Sequence, residues 1–170
     1  LIGDPTEGAL IVLAEKGGIS VDDARALHPR VAELPFDSDY KFMATFHEMD
    51  DENGERVVRC FVKGAPDQLL TRGANVIAPD LAGTVPVDDA VRKLYLDENE
   101  RLGSKGLRVM ATGRKDFDPA TFDPNADLLP LLDGMTLLAL VGIVDPPRPA
   151  AKASIGKAHG AGIQVRMITG

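Results

Sequence analysis

The sequence is poor in cysteine and histidine, the side chains that bind zinc or form disulfides. It has one cysteine and three histidines among 170 residues, and it has no tryptophan. Cys60 by itself cannot form an intrachain disulfide, and His28, His47 and His159 do not have the spacing of a metal-binding motif. We therefore predict that these residues hold no metal site and that the protein works in a cytosolic setting.

Long apolar runs and clusters of basic residues are also absent. The longest apolar stretch, residues 135–144, is shorter than the roughly 18 to 20 residues that cross a bilayer and is typical of a buried strand. The formal net charge is −7, and 19 basic residues are scattered among 26 acidic ones. Because nucleic-acid binding needs clustered Lys and Arg, we expect no nucleic-acid partner, and we also expect no direct membrane contact.

The chain opens on Leu1-Ile2-Gly3-Asp4, without a starting Met or a basic leader, so we interpret it as cut from a longer protein. Its length and its 44% hydrophobic content fit one domain, or one domain plus part of another.

Turn, cap and periodicity signals predict alternating helices and strands. Asp4 is a helix cap, Pro5 opens the first helix, and Gly17-Gly18 ends it. The other predicted helices cover residues 20–27, 66–72 and 88–102, and the predicted strands cover 31–36, 41–49, 55–63, 107–112 and 135–144. Residues 50–54 form the turn of a hairpin, because they end in Asn53-Gly54. Residues 116–130 are predicted to be a surface loop with about one turn of helix.

A change of character at Asp145-Pro146-Pro147-Arg148-Pro149 predicts a domain boundary. Prolines at this density favour an extended linker. An Ala-rich helix is predicted over residues 150–159, and residues 163–168 alternate as a strand does. A helix followed by a strand is typical of a parallel α/β sheet.

The chemically most informative segment is Phe61-Val62-Lys63-Gly64-Ala65-Pro66-Asp67. A strand delivers Lys63 onto a small-residue turn that opens a helix, which combines an ammonium group with an accessible backbone. Such a combination suits an anionic or electron-rich ligand such as a nucleotide. It is also an ordinary way to leave a strand and cap a helix.

Five ordered segments together resemble the cytoplasmic part of P-type cation-transporting ATPases, and most of all the subgroup of calcium pumps and sodium/potassium pumps. They are Gly3-Asp4-Pro5-Thr6-Glu7-Gly8-Ala9-Leu10, Pro35-Phe36-Asp37-Ser38-Asp39-Tyr40-Lys41-Phe42-Met43, Lys63-Gly64-Ala65-Pro66-Asp67, Asp145-Pro146-Pro147-Arg148 and Met167-Ile168-Thr169-Gly170. The resemblance implies an α+β fold, in which an antiparallel sheet is flanked by helices, with a short α/β piece at the C-terminus. Residues 1–144 would be the nucleotide-binding domain without its first elements, and residues 145–170 the hinge and part of the phosphorylation domain.

The resemblance also implies roles for individual residues in binding ATP or ADP. The implied nucleotide-binding residues are Glu7, Phe36, Lys41, Met43, Lys63, Gly64, Ala65, Arg108 and Val109. Phe36 would stack on adenine, although without the resemblance a core position is the better interpretation. Lys41 and Arg108 would face the phosphates or ribose, or be solvated surface charges. Glu7 would accept a hydrogen bond from adenine, or complete a capping box with Asp4.

Near the C-terminus, Asp145 and Arg148 match the family's hinge, and Thr169 and Gly170 match the start of a segment that holds the transferred phosphoryl group. The parent protein would be a membrane ATPase that hydrolyses ATP, with magnesium, through an aspartyl phosphate during cation transport. This domain would lie on the cytoplasmic face and work with the phosphorylation, actuator and transmembrane domains of the same chain. The phosphorylated aspartate is not among these residues, so this part alone should be inactive.

Two other functions stay open at this point. One is a soluble phosphohydrolase of the haloacid-dehalogenase type, which the predicted strand ending at Gly170 suggests. The other is an interaction module that keeps the fold without binding a nucleotide. The sequence has neither a P-loop nor a dinucleotide-binding fingerprint, so those types of nucleotide site are not supported.

Overall fold

The computed structural model describes residues 5–81, 83–144 and 148–168, and within these ranges seven strands form one sheet. The strands are β1 (Arg30–Asp37), β2 (Phe42–Asp50), β3 (Arg56–Gly64), β4 (Gly73–Ile77), β5 (Thr84–Pro86), β6 (Arg108–Phe117) and β7 (Met135–Ile143). The helices are α1 (Pro5–Lys16), α2 (Val21–Leu27), α3 (Pro66–Arg72), α4 (Asp89–Gly103) and α5 (Pro149–Gly160), and a 3₁₀ turn covers Pro130–Leu132.

The sheet order is β1-β2-β3-β6-β7-β4-β5, and all neighbours are antiparallel except β4 and β7, which run parallel. This arrangement of a mostly antiparallel sheet with helices confirms the predicted α+β class. The predicted hairpin is formed by β2 and β3, in which Phe42 aligns with Gly64 and Asp50 with Arg56. Its turn is held by the Asp51 carboxylate, which accepts hydrogen bonds from the backbone N–H groups of Asn53 (2.8 Å) and Glu55 (2.9 Å).

Alternation along the strands divides the sheet into two faces, because successive side chains point to opposite sides. The core face carries the buried residues Phe42, Ala44 and Phe46 of β2 and Val58, Cys60 and Val62 of β3, together with Ala111, Met135 and Leu137 of the later strands. Leu69 and Leu70 of α3 and Leu132 of the 3₁₀ turn belong to the same cluster. The opposite face, which we call the α1 face, carries Met43, Thr45, Phe61, Lys63 and Thr112.

The local predictions agree closely with the observed elements. Helix α3 has the predicted bounds, Ser20 caps α2 by accepting from the Asp23 N–H, and Asp88 caps α4 by accepting from the Val91 N–H. Helix α5 forms within one residue of the predicted ends. Asp4, the predicted cap of α1, lies outside the described residues.

The long-range predictions are less accurate. Strands β4 and β5 lie between the predicted helices at 66–72 and 88–102, where the sequence predicts no strand, and β6 continues to Phe117, into the predicted loop of residues 116–130. The predicted strand at residues 163–168 is wrong: this segment is exposed and has no strand assignment. A strand needs a partner for its backbone groups, and none of the described strands pairs with these residues.

A network of charged side chains ties the hairpin turn to the α1 face of β6. The Arg59 side chain is only 7% exposed and binds Asp116 through two hydrogen bonds of 2.7 Å, and it also contacts Glu52. Glu52 also accepts a hydrogen bond from Arg114. The hydrogen bonds from Arg114 and Arg59 lower the pKa of Glu52 from its ordinary value of 4.5 to about 2.

We expect Glu52→Gln to lower the free energy of unfolding at neutral pH. The folded-state pKa of Glu52 is depressed, so its contribution is present above pH 4.5 and disappears as the pH falls toward about 2. The difference between wild type and variant should therefore shrink over that interval, and added salt should reduce it because the side chain is 61% exposed. Urea unfolding across pH measures this. Glu55→Gln, in the same turn, is the control, and a pH-independent difference would contradict the account.

Gly64 lies where β3 approaches β2 too closely for any side chain. A Cβ atom built on Gly64 would lie 2.3 Å from the Cβ of Phe42 and 2.5 Å from the backbone oxygen of Lys41. These contacts are with backbone and with the root of a buried ring, so they cannot be relieved by a rotamer change. Glycine is therefore required here by strand packing.

We expect Gly64→Ala to lower the free energy of unfolding by about 1–3 kcal/mol, because overpacking forces the two strands apart. Chemical denaturation measures the change. Gly103→Ala is the matched control, since a Cβ atom at Gly103 meets nothing within 4 Å, and it should be neutral or slightly stabilising. Equal stabilities for the two variants would show that the close approach at Gly64 carries no cost.

Candidate functional site

A cleft of about 470 Å³ opens at the end of the α1 face, where β2 and β3 meet the first turn of α1 and the start of β6. It is lined by Thr6, Glu7, Phe36, Lys41, Met43, Lys63, Gly64, Ala65, Arg108, Val109 and Met110. All the residues that the resemblance implies for nucleotide binding are in this set. They come from segments that are far apart in the chain, so only folding brings them together.

The first turn of α1 is joined to the sheet by two polar contacts across the cleft. The Glu7 carboxylate forms an ion pair with the Lys63 ammonium of β3. The Arg108 side chain donates a 2.9 Å hydrogen bond to the hydroxyl oxygen of Thr6. The two contacts place a carboxylate and two cations around one opening, with Lys63 only 24% exposed.

Met43 and Lys63 lie side by side on the floor of the cleft. They are aligned partners on β2 and β3, and Lys63 is also aligned with Thr112 on β6. The register of the hairpin thus puts a thioether next to an ammonium group. Val109 and Met110 add apolar surface at the start of β6.

The turn between β1 and β2 supplies Lys41 in a sparsely populated backbone conformation. Lys41 has a φ of 57°, which is uncommon for a residue other than glycine. Its N–H donates to the Asp37 carbonyl at 2.7 Å, and its own carbonyl accepts from the Ala65 N–H at 2.9 Å. These bonds hold the left-handed conformation and fix where the Lys41 side chain leaves the backbone.

Tyr40 stabilises the same turn through its hydroxyl group and its ring. Its hydroxyl donates to the Pro35 carbonyl at 3.0 Å, and its ring packs against Phe42. Desolvation, with a smaller contribution from the Asp37 carboxylate, raises the pKa of Tyr40 above its ordinary value of 10. The hydroxyl therefore stays protonated and able to donate at neutral pH.

Phe36 is the exposed aromatic group of the cleft. It is 63% exposed near the end of β1, so the alternative that it is a core residue is wrong. An aromatic side chain that is exposed beside a cleft can stack on a planar apolar group, and stacking removes both surfaces from water.

Gly64 and Ala65 form the turn from β3 into α3. Gly64 lacks a side chain because of the close approach of Phe42, on the core face, rather than because of anything in the cleft. The Ala65 N–H is already bonded to the Lys41 carbonyl, so this amide does not face the cleft as a free donor. The small residues suggest backbone N–H groups that are free to bind a ligand. In the fold, however, the Ala65 N–H joins this turn to the turn between β1 and β2.

The cleft is locally positive although the chain has a net charge of −7. Among the described residues, its lining contains Lys41, Lys63 and Arg108 and one carboxylate, Glu7, which is ion-paired. Beside these cations lie Phe36 and the apolar groups of β2 and β6. The arrangement can bind an anion whose other end is flat and apolar.

Of the four residues predicted near the C-terminus, the structure describes Arg148. Asp145, Thr169 and Gly170 lie outside the described residues. Arg148 precedes α5, where its carbonyl accepts from the Ala151 N–H at 2.9 Å, and it does not line the cleft. The described helices include none that is long and apolar enough to cross a membrane.

Two lining residues, Thr6 and Met110, are not among the site residues predicted from the sequence. Thr6 directly precedes Glu7, and Met110 ends the segment Leu107-Arg108-Val109-Met110. Each is therefore a close neighbour of a predicted site residue. Thr6 matters because it holds Arg108, a contact between residues 102 positions apart that no local pattern reveals.

Comparison with known proteins agrees with the motifs. Residues 1–150 match the family model for cytoplasmic domain N of P-type ATPases. The chain is 37% identical over 171 residues to the cation-transporting ATPase pma1 of Synechocystis, and also 37% identical over 171 residues to calcium-transporting ATPase 1 of Lactococcus lactis. It is 36% identical over 172 residues to calcium-transporting ATPase type 2C member 1 of Mus musculus.

Each of these alignments covers 100% of the chain but only 16–18% of the relative, so the chain spans less than a fifth of the proteins it matches. The family model covers most of the chain, and the relatives align with the chain over its whole length. The chain therefore belongs to the P-type cation-transporting ATPases and corresponds to their cytoplasmic domain N.

Proposed function

We propose that the cleft binds ATP and ADP, and that the chain is the part of a membrane cation pump that presents ATP for formation of an aspartyl phosphate. The single observation that carries this proposal is the convergence of the lining. Residues from separate segments of the chain, each implied for nucleotide binding by the resemblance, line one opening. Its volume of about 470 Å³ lies within the range of small-molecule sites, about 300–1,000 Å³.

In this proposal the apolar side of the cleft holds adenine. Phe36 stacks on one face of the ring, and Met43 and Val109 contact its edges. Stacking of a base on an aromatic side chain contributes about 1–3 kcal/mol. Lys41 and Arg108 then face the ribose and phosphates, where a positive charge adds directly to nucleotide binding.

The Glu7–Lys63 ion pair has a specific consequence for binding. Each partner holds the other, so a ligand that uses Lys63 as a donor, or Glu7 as an acceptor, competes with this contact. Since the Glu7 side chain is 48% exposed, the ion pair is partly solvated and can rearrange at modest cost. A micromolar to millimolar affinity is then sufficient, because the rest of the site would come from a neighbouring domain.

The cleft does not fit a resident divalent cation. Magnesium prefers several oxygen ligands, whereas Glu7, the one carboxylate that the described residues contribute to the lining, is paired with Lys63. We therefore propose that magnesium accompanies ATP in the parent protein and that its ligands lie elsewhere. The residues of this cleft bind and orient the nucleotide.

For the parent protein we propose ATP hydrolysis coupled to cation transport, with this domain on the cytoplasmic face. Residues 1–144 would bind the nucleotide, and residues 145–170, including Asp145, Arg148, Thr169 and Gly170, would lead through the hinge into the phosphorylation domain. Closure between these domains would bring the γ-phosphoryl group to an aspartate of the same parent chain. Calcium is the first candidate ion, because two of the matched relatives are named for it.

The two alternative functions, a phosphohydrolase and an interaction module, differ from the proposed one in what they require. The phosphohydrolase interpretation depends on a strand at residues 163–168, which is not a strand in the structure. An interaction module predicts a folded domain to which neither ATP nor ADP binds.

We expect Lys63→Glu to weaken ATP and ADP binding by at least about tenfold, since it removes a charged donor and adds a second carboxylate beside Glu7. Titrations followed by amide NMR shifts measure this, with GTP as the comparison nucleotide. Lys93→Glu, which makes the same charge change on α4 away from the cleft, should bind as the wild type does. Unchanged affinity of the Lys63 variant would remove Lys63 from the proposed site.

We expect Phe36→Ala to weaken ATP and adenosine alike, by about 5- to 150-fold, because a stacking contact of about 1–3 kcal/mol is lost from the base. The melting temperature should change little, since the side chain is 63% exposed. Leu27→Ala removes another exposed apolar side chain, 71% exposed, and should affect neither ligand. A loss that is confined to ATP and spares adenosine would place Phe36 away from the base.

A further inference from the structure

A second and larger cavity, of about 760 Å³, lies beneath α1 and α2 on the α1 face of the sheet. It adjoins the cleft, and Glu7, Met43 and Lys63 line both spaces. The ion pair between Glu7 and Lys63 therefore stands at the boundary between them. From this boundary the cavity continues along the hairpin toward α2 and the start of β1.

The walls of this cavity are apolar and incompletely covered. Phe61, in the middle of the interior strand β3, is 39% exposed, although Cys60 and Val62 beside it are buried on the core face. Ile19, at the entry to α2, is 56% exposed and faces the same space. The space is within the size range of sites that hold a drug-sized molecule.

The far end of the cavity carries positive charge. Arg25 of α2 and Arg30 of β1 belong to its lining. Arg30 aligns with His47 on β2, whereas Lys63 aligns with Met43, so the arginine end and the lysine end are four residues apart along β2, about 13 Å.

Among the described residues, the ion pairs of both arginines are with exposed carboxylates. Arg25 lies 3.9 Å from Asp22, whose side chain is 98% exposed, and Arg30 contacts Glu33, with both side chains about half exposed. Such pairs contribute little, so either guanidinium can turn to another anion. In the part of the chain that the structure describes, the cavity lining holds three cations and one carboxylate, although the chain is acidic as a whole.

We propose that this cavity is a second binding site, for a small amphiphilic monoanion. Its aromatic or aliphatic body would lie between α1 and Phe61, and its acidic head group would bind Arg25 and Arg30. A nucleotide does not match this lining, because the cavity is mainly apolar between the Glu7–Lys63 ion pair at one end and the two arginines at the other. This proposal rests on the cavity alone and stands whether or not the cleft binds ATP.

The test uses two fluorescent probes with the same aromatic body. The probe 8-anilinonaphthalene-1-sulfonate carries a sulfonate, and N-phenyl-1-naphthylamine is its neutral counterpart. We expect saturable binding of the sulfonate with one site per chain, and shifts of the methyl signals of Ala14, Val21 and Leu138. Methyl shifts confined to Val109 and Met110 would put the probe in the cleft and overturn the proposal.

Variants then test the charge and the space. The double variant Arg25→Gln/Arg30→Gln should weaken the sulfonate at least about tenfold and leave the neutral probe within about twofold. The matched double variant Arg101→Gln/Arg166→Gln changes the net charge equally, outside the cavity, and should change neither affinity. Ala14→Phe fills the cavity from α1 and should weaken both probes.

Absence of saturable binding to the folded chain overturns the proposal, as does an equal response of both probes to the loss of Arg25 and Arg30. An equal loss in the Arg101/Arg166 variant would also overturn it, because attraction by overall charge would then explain the binding. A parallel ATP titration separates this outcome from the nucleotide proposal.

Discussion

The pairing of β2 with β3 is the constraint on which the rest of the structure depends. Their register decides which side chains face the core and which face α1, because a slip by one residue would exchange the two sets. In the observed register Phe42, Cys60 and Val62 enter the core, and Met43 and Lys63 lie together on the cleft floor. At Gly64 the strands approach so closely that no side chain fits, so the register and the end of the hairpin are fixed together.

The two faces of the sheet are stabilised differently. The core face is a continuous apolar cluster that α3 and the 3₁₀ turn complete. The α1 face is joined to its helices by polar contacts, chiefly Glu7 with Lys63 and Thr6 with Arg108, and α1 has no buried residue among its described side chains. Fewer apolar contacts leave space under α1, which is why the cleft and the second cavity lie on this side.

The sequence predicts the residues of the cleft better than the sheet that carries them. The hairpin, α3 and the caps Ser20 and Asp88 follow from signals within a few residues, so their predicted positions are close to the observed ones. Strand β4 is not predicted, because its support is the parallel neighbour β7, about 60 residues away, and no local pattern shows that partner. The strand predicted at 163–168 does not form, also because of long-range pairing. Its residues alternate as in a strand, but none of the described strands pairs with it.

The amino-acid sequence by itself determined most of the local elements, the family resemblance and most of the residues that line the cleft. Only the tertiary structure decided what those residues do to one another. It showed that Phe36 is exposed rather than buried, that the Ala65 N–H is bonded to Lys41, and that Glu7 pairs with Lys63. Helix and turn signals act over a few residues, whereas these contacts join positions far apart in the chain and exist only after the sheet has brought them together.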